Sequence, residues 1–237
     1  PTGSGGLDLN PNFQLMINET LRKEGISINN RIANILGIGM GAPTISEFGT
    51  EEQKNKYLRP MFAAEEIWCQ MFSEPGSGSD LASLSTKAVD DGDGYIVNGQ
   101  KVWTSRVEQS DLMLLVARTT PREQVKKKTD GLSILLVDLR SAVGNGLTIR
   151  PLRTMMNHST TEVFFDDLIV PVENRIGEEG MGFRYLLDGL NAERILIAAE
   201  CVGDGRWFVE RSVTYANERI VFDRPIGQNQ GIQFPIA

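Results

Sequence analysis

Apolar positions along this chain change their period twice. Up to about Ala64 the pattern is helical, with Phe13, Met16, Ile17 and Leu21 recurring at the spacing of one helix face. A small-residue stretch from Ile35 to Ala42 follows another helical segment. Thr50 stands three residues before Gln53, with Glu51 and Glu52 between them, which predicts a capping box at a helix start. From about Trp68 to Val170 the helical period gives way to short apolar runs separated by turn residues. Leu112–Ala117, Leu132–Asp138, Leu147–Pro151 and Glu162–Phe165 read as strands. Gly92-Asp93-Gly94 reads as a turn, and Asn98-Gly99 between two β-rich runs predicts a hairpin, because both residues tolerate positive φ. After Pro171 helical spacing returns, through Gly180–Leu190, Ala192–Ala199 and a stretch from Cys201 to Val221. Gln228–Ala237 reads as a helix entered without a stop signal.

The order α, β, α predicts an α+β multidomain fold. It comprises an N-terminal helical domain over 1–66, a middle β barrel or sandwich over 67–176, and the start of a C-terminal helical bundle over 177–237. The last part is expected to be truncated, since about 60 residues of bundle bury little core alone. Pro1 in place of Met suggests truncation at the front as well.

Composition narrows the chemistry. The 237 residues carry a net charge of -7, which disfavours nucleic acid or an anionic membrane as partner and leaves room for a local basic pocket. No apolar run approaches the roughly 18–20 residues that span a bilayer, and no charged-then-apolar leader opens the chain. The cysteines, Cys69 and Cys201, lie far apart with no CxxC partner, so a disulfide scaffold or zinc site is not expected. Both are read as buried packing thiols in a reducing compartment. A single histidine, His158, excludes a His-rich metal site, and no GxSxG elbow accompanies it; no metal is expected. The Met155-Met156 pair reads as core, Glu65-Glu66 as a solvated helix end, and Arg122–Lys128 as a solvated loop.

Two segments carry candidate chemistry. Ser73-Glu-Pro-Gly-Ser-Gly-Ser-Asp80 is a Gly- and Ser-rich turn that is either a plain surface turn or a loop whose amides and hydroxyls approach a ligand. Trp103-Thr104-Ser105 offers an aromatic ring followed by two hydroxyls, fit either for a core or for stacking on a planar ring.

Together with Val163–Pro171, Arg219-Ile-Val-Phe222 and Gln230, these segments closely resemble acyl-CoA dehydrogenases over about Gly5 to Ala237. The resemblance implies FAD as cofactor, with Gln70, Phe72, Ser73 and Ser79 along a strand and turn that face the flavin. It places Trp103 and Ser105 against the ring. It implies that Ser79 also contacts the acyl-CoA, as do Leu190, Asn191 and Arg194. Asn191 stands where other members carry a CoA-contacting acid. Arg219, Phe222 and Gln230 match positions that reach a neighbouring subunit's FAD, implying a homo-oligomer, a dimer or tetramer. Glu193, in Asn191-Ala-Glu-Arg194, matches the catalytic base of the isovaleryl- and long-chain type. Other members carry the base nearer the end of the C-terminal domain. The implied reaction is α,β-dehydrogenation of an acyl-CoA to a 2,3-enoyl-CoA, with electrons passed to an electron-transferring flavoprotein. An acyl-CoA oxidase-like or flavin monooxygenase-like activity and a non-catalytic binding or assembly subunit stay open. The expected compartment is the bacterial cytoplasm, or the mitochondrial matrix in a eukaryote.

Overall fold

The structure, a computed structural model, describes residues 6–10, 12–26, 34–155 and 159–237. His158, Asn157 and Met156 lie outside them. The chain divides into two compact units, Pro1–Gly189 and Leu190–Ala237.

In the first unit, helix α1 (Asn12–Lys23) forms where the period predicts, with Phe13, Met16 and Ile17 exposed. A π-helical turn, Gly37–Gly41, leads into α2 (Ala42–Phe48), and α3 (Glu51–Phe62) follows. The capping box is present in full: Gln53 N donates to Thr50 Oγ1 and Thr50 N to Gln53 Oε1. The small-residue stretch serves close packing, since a Cβ on Gly41 would meet the Trp68 ring at 3.2 Å. Buried Asn34 joins helices to sheet. Its Nδ2 donates to the carbonyls of Met61 and Glu66, and its Oδ1 accepts from Trp68 N.

The middle segment forms an eight-stranded mixed sheet: β1 (Trp68–Met71), β2 (Lys87–Asp90), β3 (Gly94–Ser105), β4 (Leu112–Arg118), β5 (Leu132–Asp138), β6 (Leu147–Pro151), β7 (Thr160–Pro171) and β8 (Arg175–Ile176). The order is β6-β7-β3-β2-β4-β5-β8, with β1 parallel to β4. One pair alone, Lys87 with Arg118, links β2 to β4. The sheet folds over at that seam, because Val97, Val163 and Phe165 from one half share a core with Met71, Met113, Leu115 and Leu135 from the other. β4 is buried along its whole length.

Asn98-Gly99 is not a hairpin turn. Both residues lie inside β3, which pairs with β7 on either side of them, and the β2–β3 hairpin turns at Asp91–Gly94 instead. Asn98 faces a bulge in β7 where Asp167 takes φ 50°. Asn98 Nδ2 donates to Asp167 Oδ1, and Asp167 N donates to Asn98 Oδ1. The same chemistry that suits a turn here accommodates a bulge. Met155 is 96% exposed and not core, and Cys201 is exposed while Cys69 is buried. Glu66 is half-buried rather than solvated, with burial raising its pKa.

After a short helix α4 (Leu139–Ala142) that follows β5, one long helix, α5 (Gly182–Glu218), replaces the separate helical runs read from the sequence. In the second unit Ile220–Val221 leaves the helix as strand β9, because Phe222 and Asp223 turn the chain at φ 52° and 61° into β10 (Arg224–Pro225). Helix α6 (Gln230–Ile236) closes the unit.

Candidate active site

The turn after β1 is fixed from inside. Phe72 and Glu74 are buried, Ser73 is half-buried and Ser79 is exposed. Glu74 and Ser77 exchange both backbone hydrogen bonds across Pro75-Gly76. Gly76 and Gly78 are open on the side where a side chain would stand, with no atom within 4 Å of a built Cβ. The Glu74 carboxylate accepts from Ser85 N and Oγ at 2.7 Å each, from Thr86 N at 2.9 Å, and from Lys101 Nζ at 2.9 Å. Burial opposes its charge, but Lys101 and these hydrogen bonds outweigh that and hold its pKa at about 2. Lys101 is fully buried, and its Nζ also donates to the Phe72 carbonyl at 2.9 Å. Burial pushes its pKa down to about 8, against the pull of Glu74.

Opposite this turn lies the second half of β3. Val102 N donates to the Ser73 carbonyl at 3.0 Å. Between Lys101 and Thr104 the register against β7 slips by one residue, and Trp103 takes φ 61° with 64% of its surface exposed. A left-handed aromatic residue is strained, and such strain marks places where a side chain is being presented. Its neighbours are fixed: Thr104 is buried, and Thr161 Oγ1 donates to the Thr104 carbonyl at 3.0 Å. Ser105 is half-buried.

These residues fit the planar ring that the resemblance implies. The Gln70 side-chain oxygen is buried without a partner among the described residues, on the face of β1 opposite the core residues Cys69 and Met71. Such an orphan acceptor asks for a donor from outside the chain. The open glycines and the exposed Trp103 lie on segments joined by the Val102–Ser73 hydrogen bond, and with Gln70 they offer the groups that a polar-edged ring would use. A groove of about 520 Å³ beyond Ser79 is lined by Ser83, Lys87, Arg118, Arg122 and Lys128 among others. Arg118 there donates to the carbonyls of Ala82, Lys128 and Asp130. Lys128 holds Asp80, so the basic loop is exposed, as expected, yet anchored.

In the unit Leu190–Ala237, Leu190 and Glu193 are half-buried, while Asn191 and Arg194 are exposed and joined by Arg194 Nη1 donating to Asn191 Oδ1 at 2.7 Å. Arg219 closes the β9–β10 hairpin, its carbonyl accepting from Ile226 N at 2.9 Å. Phe222, at the tip, is 93% exposed, and Gln230 opens α6 in the open.

The sequence reading missed the Lys101–Glu74 pair. The signal was available: Lys101 shares the strand parity of the inward residues Tyr95 and Val97, and a buried ammonium demands a carboxylate.

Three family models match in order: the acyl-CoA dehydrogenase N-terminal domain over residues 1–65, the middle domain over 69–168 and the C-terminal domain over 180–237. An acyl-CoA dehydrogenase of Bacillus subtilis is 33% identical over 99% of this chain and 60% of its own length. The caffeyl-CoA reductase-Etf complex subunit CarC of Acetobacterium woodii is 32% identical over the same shares. The crystal structure of an acyl-CoA dehydrogenase from Geobacillus kaustophilus superposes at TM-score 0.79 with 36% identity, covering 100% of this chain and 61% of that one. A glutaryl-coenzyme A dehydrogenase structure with glutaryl-CoA gives TM-score 0.71 and 32% identity over 87% of this chain and 52% of that one. The chain thus spans about 60% of the relatives that it matches end to end.

Proposed function

The chain belongs to the acyl-CoA dehydrogenase family, and on that premise we propose that the whole protein is an FAD-dependent acyl-CoA dehydrogenase. It converts an acyl-CoA thioester to a 2,3-enoyl-CoA and passes the electrons to an electron-transferring flavoprotein. The observation that carries this reading is the open Gly/Ser turn, hydrogen-bonded through Ser73 to the residue before an exposed, left-handed Trp103. The CoA thioester in the glutaryl-coenzyme A dehydrogenase complex and the Etf partner in the name of the Acetobacterium woodii protein support the substrate and acceptor.

When bound, FAD supplies the acceptor for the hydride leaving Cβ. The chain's own residues do the rest. Trp103 packs against the ring, Ser105 offers its hydroxyl at the ring edge, and Gln70, Phe72, Ser73 and Ser79 line the strand and turn. Glu193 takes the α-proton, which is too weakly acidic to leave unless the thioester carbonyl is hydrogen-bonded as charge develops and water is excluded. Leu190, Asn191, Arg194 and Ser79 contact the acyl-CoA. Arg219, Phe222 and Gln230 reach the cofactor of a neighbouring subunit in a homo-oligomer. We keep three domains in this reading, over 1–66, 67–176 and 177–237, and place the protein in the bacterial cytoplasm or mitochondrial matrix. No described helix is long and apolar enough to cross a membrane.

The test uses full-length protein reconstituted with FAD and freed of excess ligand. A bound yellow chromophore that bleaches on anaerobic mixing with an acyl-CoA is expected. Folded protein that retains no flavin would refute the proposal.

A further inference from the structure

We infer that the buried Lys101–Glu74 ion pair is a positioning device. It sets Trp103, and so one wall of the cofactor site, against the turn Glu74–Ser79. The inference rests on the flavin reading above and adds to it two residues whose side chains are buried behind the candidate segments.

A buried ion pair is a poor source of stability, because the desolvation of both charges offsets their attraction. What it supplies is direction. The Lys101 ammonium donates to two acceptors on the opposite segment, the Phe72 carbonyl and Glu74 Oε1, each at 2.9 Å. Its partner carboxylate is held in turn by Ser85 and Thr86, so the anchor cannot drift. Lys101 is the last residue in register before β3 slips, and the strained Trp103 follows two positions later. Strain of this kind persists only where the surroundings over-determine it. Here the surroundings are Lys101 and the Val102–Ser73 bond on one side, and the Thr161–Thr104 bond on the other. Glu74 and Lys101 thereby tie both candidate segments to one charge pair, 27 residues apart in sequence.

The test compares full-length wild type with Lys101→Met, Glu74→Gln and the double variant. Amide hydrogen exchange is followed without cofactor, over a peptide spanning 100–106 and a control over Leu132–Asp138. In Lys101→Met, exchange over 100–106 should quicken at least about tenfold, with the control strand unchanged, as for loss of one charge-assisted hydrogen bond. FAD should bind about tenfold or more weakly, with an altered visible circular dichroism band. The double variant should be no worse than Lys101→Met in either readout, since the residues act as one unit. Wild-type exchange and FAD affinity in the variants, with a lower melting temperature alone, would overturn the inference, as would additive losses in the double variant. Should Lys101→Met not fold, Glu74→Gln keeps the shape and one acceptor and carries the same readouts. If wild-type protein binds no FAD the cofactor reading fails by itself, while the exchange arm still reports whether the pair holds Trp103.

Discussion

Replacing Gly99 with alanine should cost the protein about 4 kcal/mol of stability. Gly99 sits in β3 at φ 150°, a conformation side chains rarely adopt, and forcing one there costs about 1–3 kcal/mol. The new Cβ would also stand 2.6 Å from Thr86 Oγ1 and 2.7 Å from Thr86 Cα. Thr86 has nowhere to go. It is fully buried, and its amide donates to Glu74. Overpacking against a fixed backbone adds about 1–3 kcal/mol. Urea denaturation of the full-length variant should show a midpoint lower by about 1–2 M at a slope of about 2–3 kcal/mol/M. Gly76→Ala is the control, because a Cβ there meets nothing within 4 Å, and its stability should stay within about 0.5 kcal/mol of wild type. A Gly99→Ala variant within about 1 kcal/mol of wild type would show that Thr86 can move aside at no great cost, and the account of this close approach would be wrong.

Further outcomes follow from the same geometry. Because Glu74 is held at about 2 when folded, below its usual 4.5, its contribution is present above pH 4.5 and lost as pH falls toward 2. The stability gap between wild type and Glu74→Gln should therefore narrow over that range; parallel acid-unfolding curves would exclude it. Glu193→Gln in full-length protein should retain FAD and acyl-CoA but reduce the flavin about 100- to 10,000-fold more slowly, and near-normal bleaching would eliminate Glu193 as the base. Phe222→Asn should relieve the positive φ at 52°, leaving stability equal or higher by about 1 kcal/mol, while FAD retention falls; unchanged retention would sever Phe222 from the cofactor. Thr50→Ala, which removes the capping box of α3, should lower stability by about 1 kcal/mol in the same urea assay.

Much of the architecture is legible in the chain because it depends on local chemistry. The capping box at Thr50–Gln53 and the strands at Leu112, Leu132 and Leu147 need only neighbours a few residues away. The motif pair around Ser73 and Trp103 was equally legible as a candidate site. What escaped local reading depends on partners far off in sequence. Asn98-Gly99 has the residues of a hairpin turn, and only the pairing of β3 with β7 decides that it lies within a continuous strand opposite a bulge. Met155 and Cys201 look like core side chains, yet burial is a property of what covers them, and their composition cannot supply that. Trp103 is the clearest case. Its residue type allows either a core ring or a stacking surface, and its exposure follows from a one-residue register slip pinned by Lys101, Glu74 and Thr161. Sequence determined which groups were available and how each local segment would fold. Tertiary structure decided which of them are held, strained and turned outward, because desolvation and register are set by the whole sheet and by no single stretch of it.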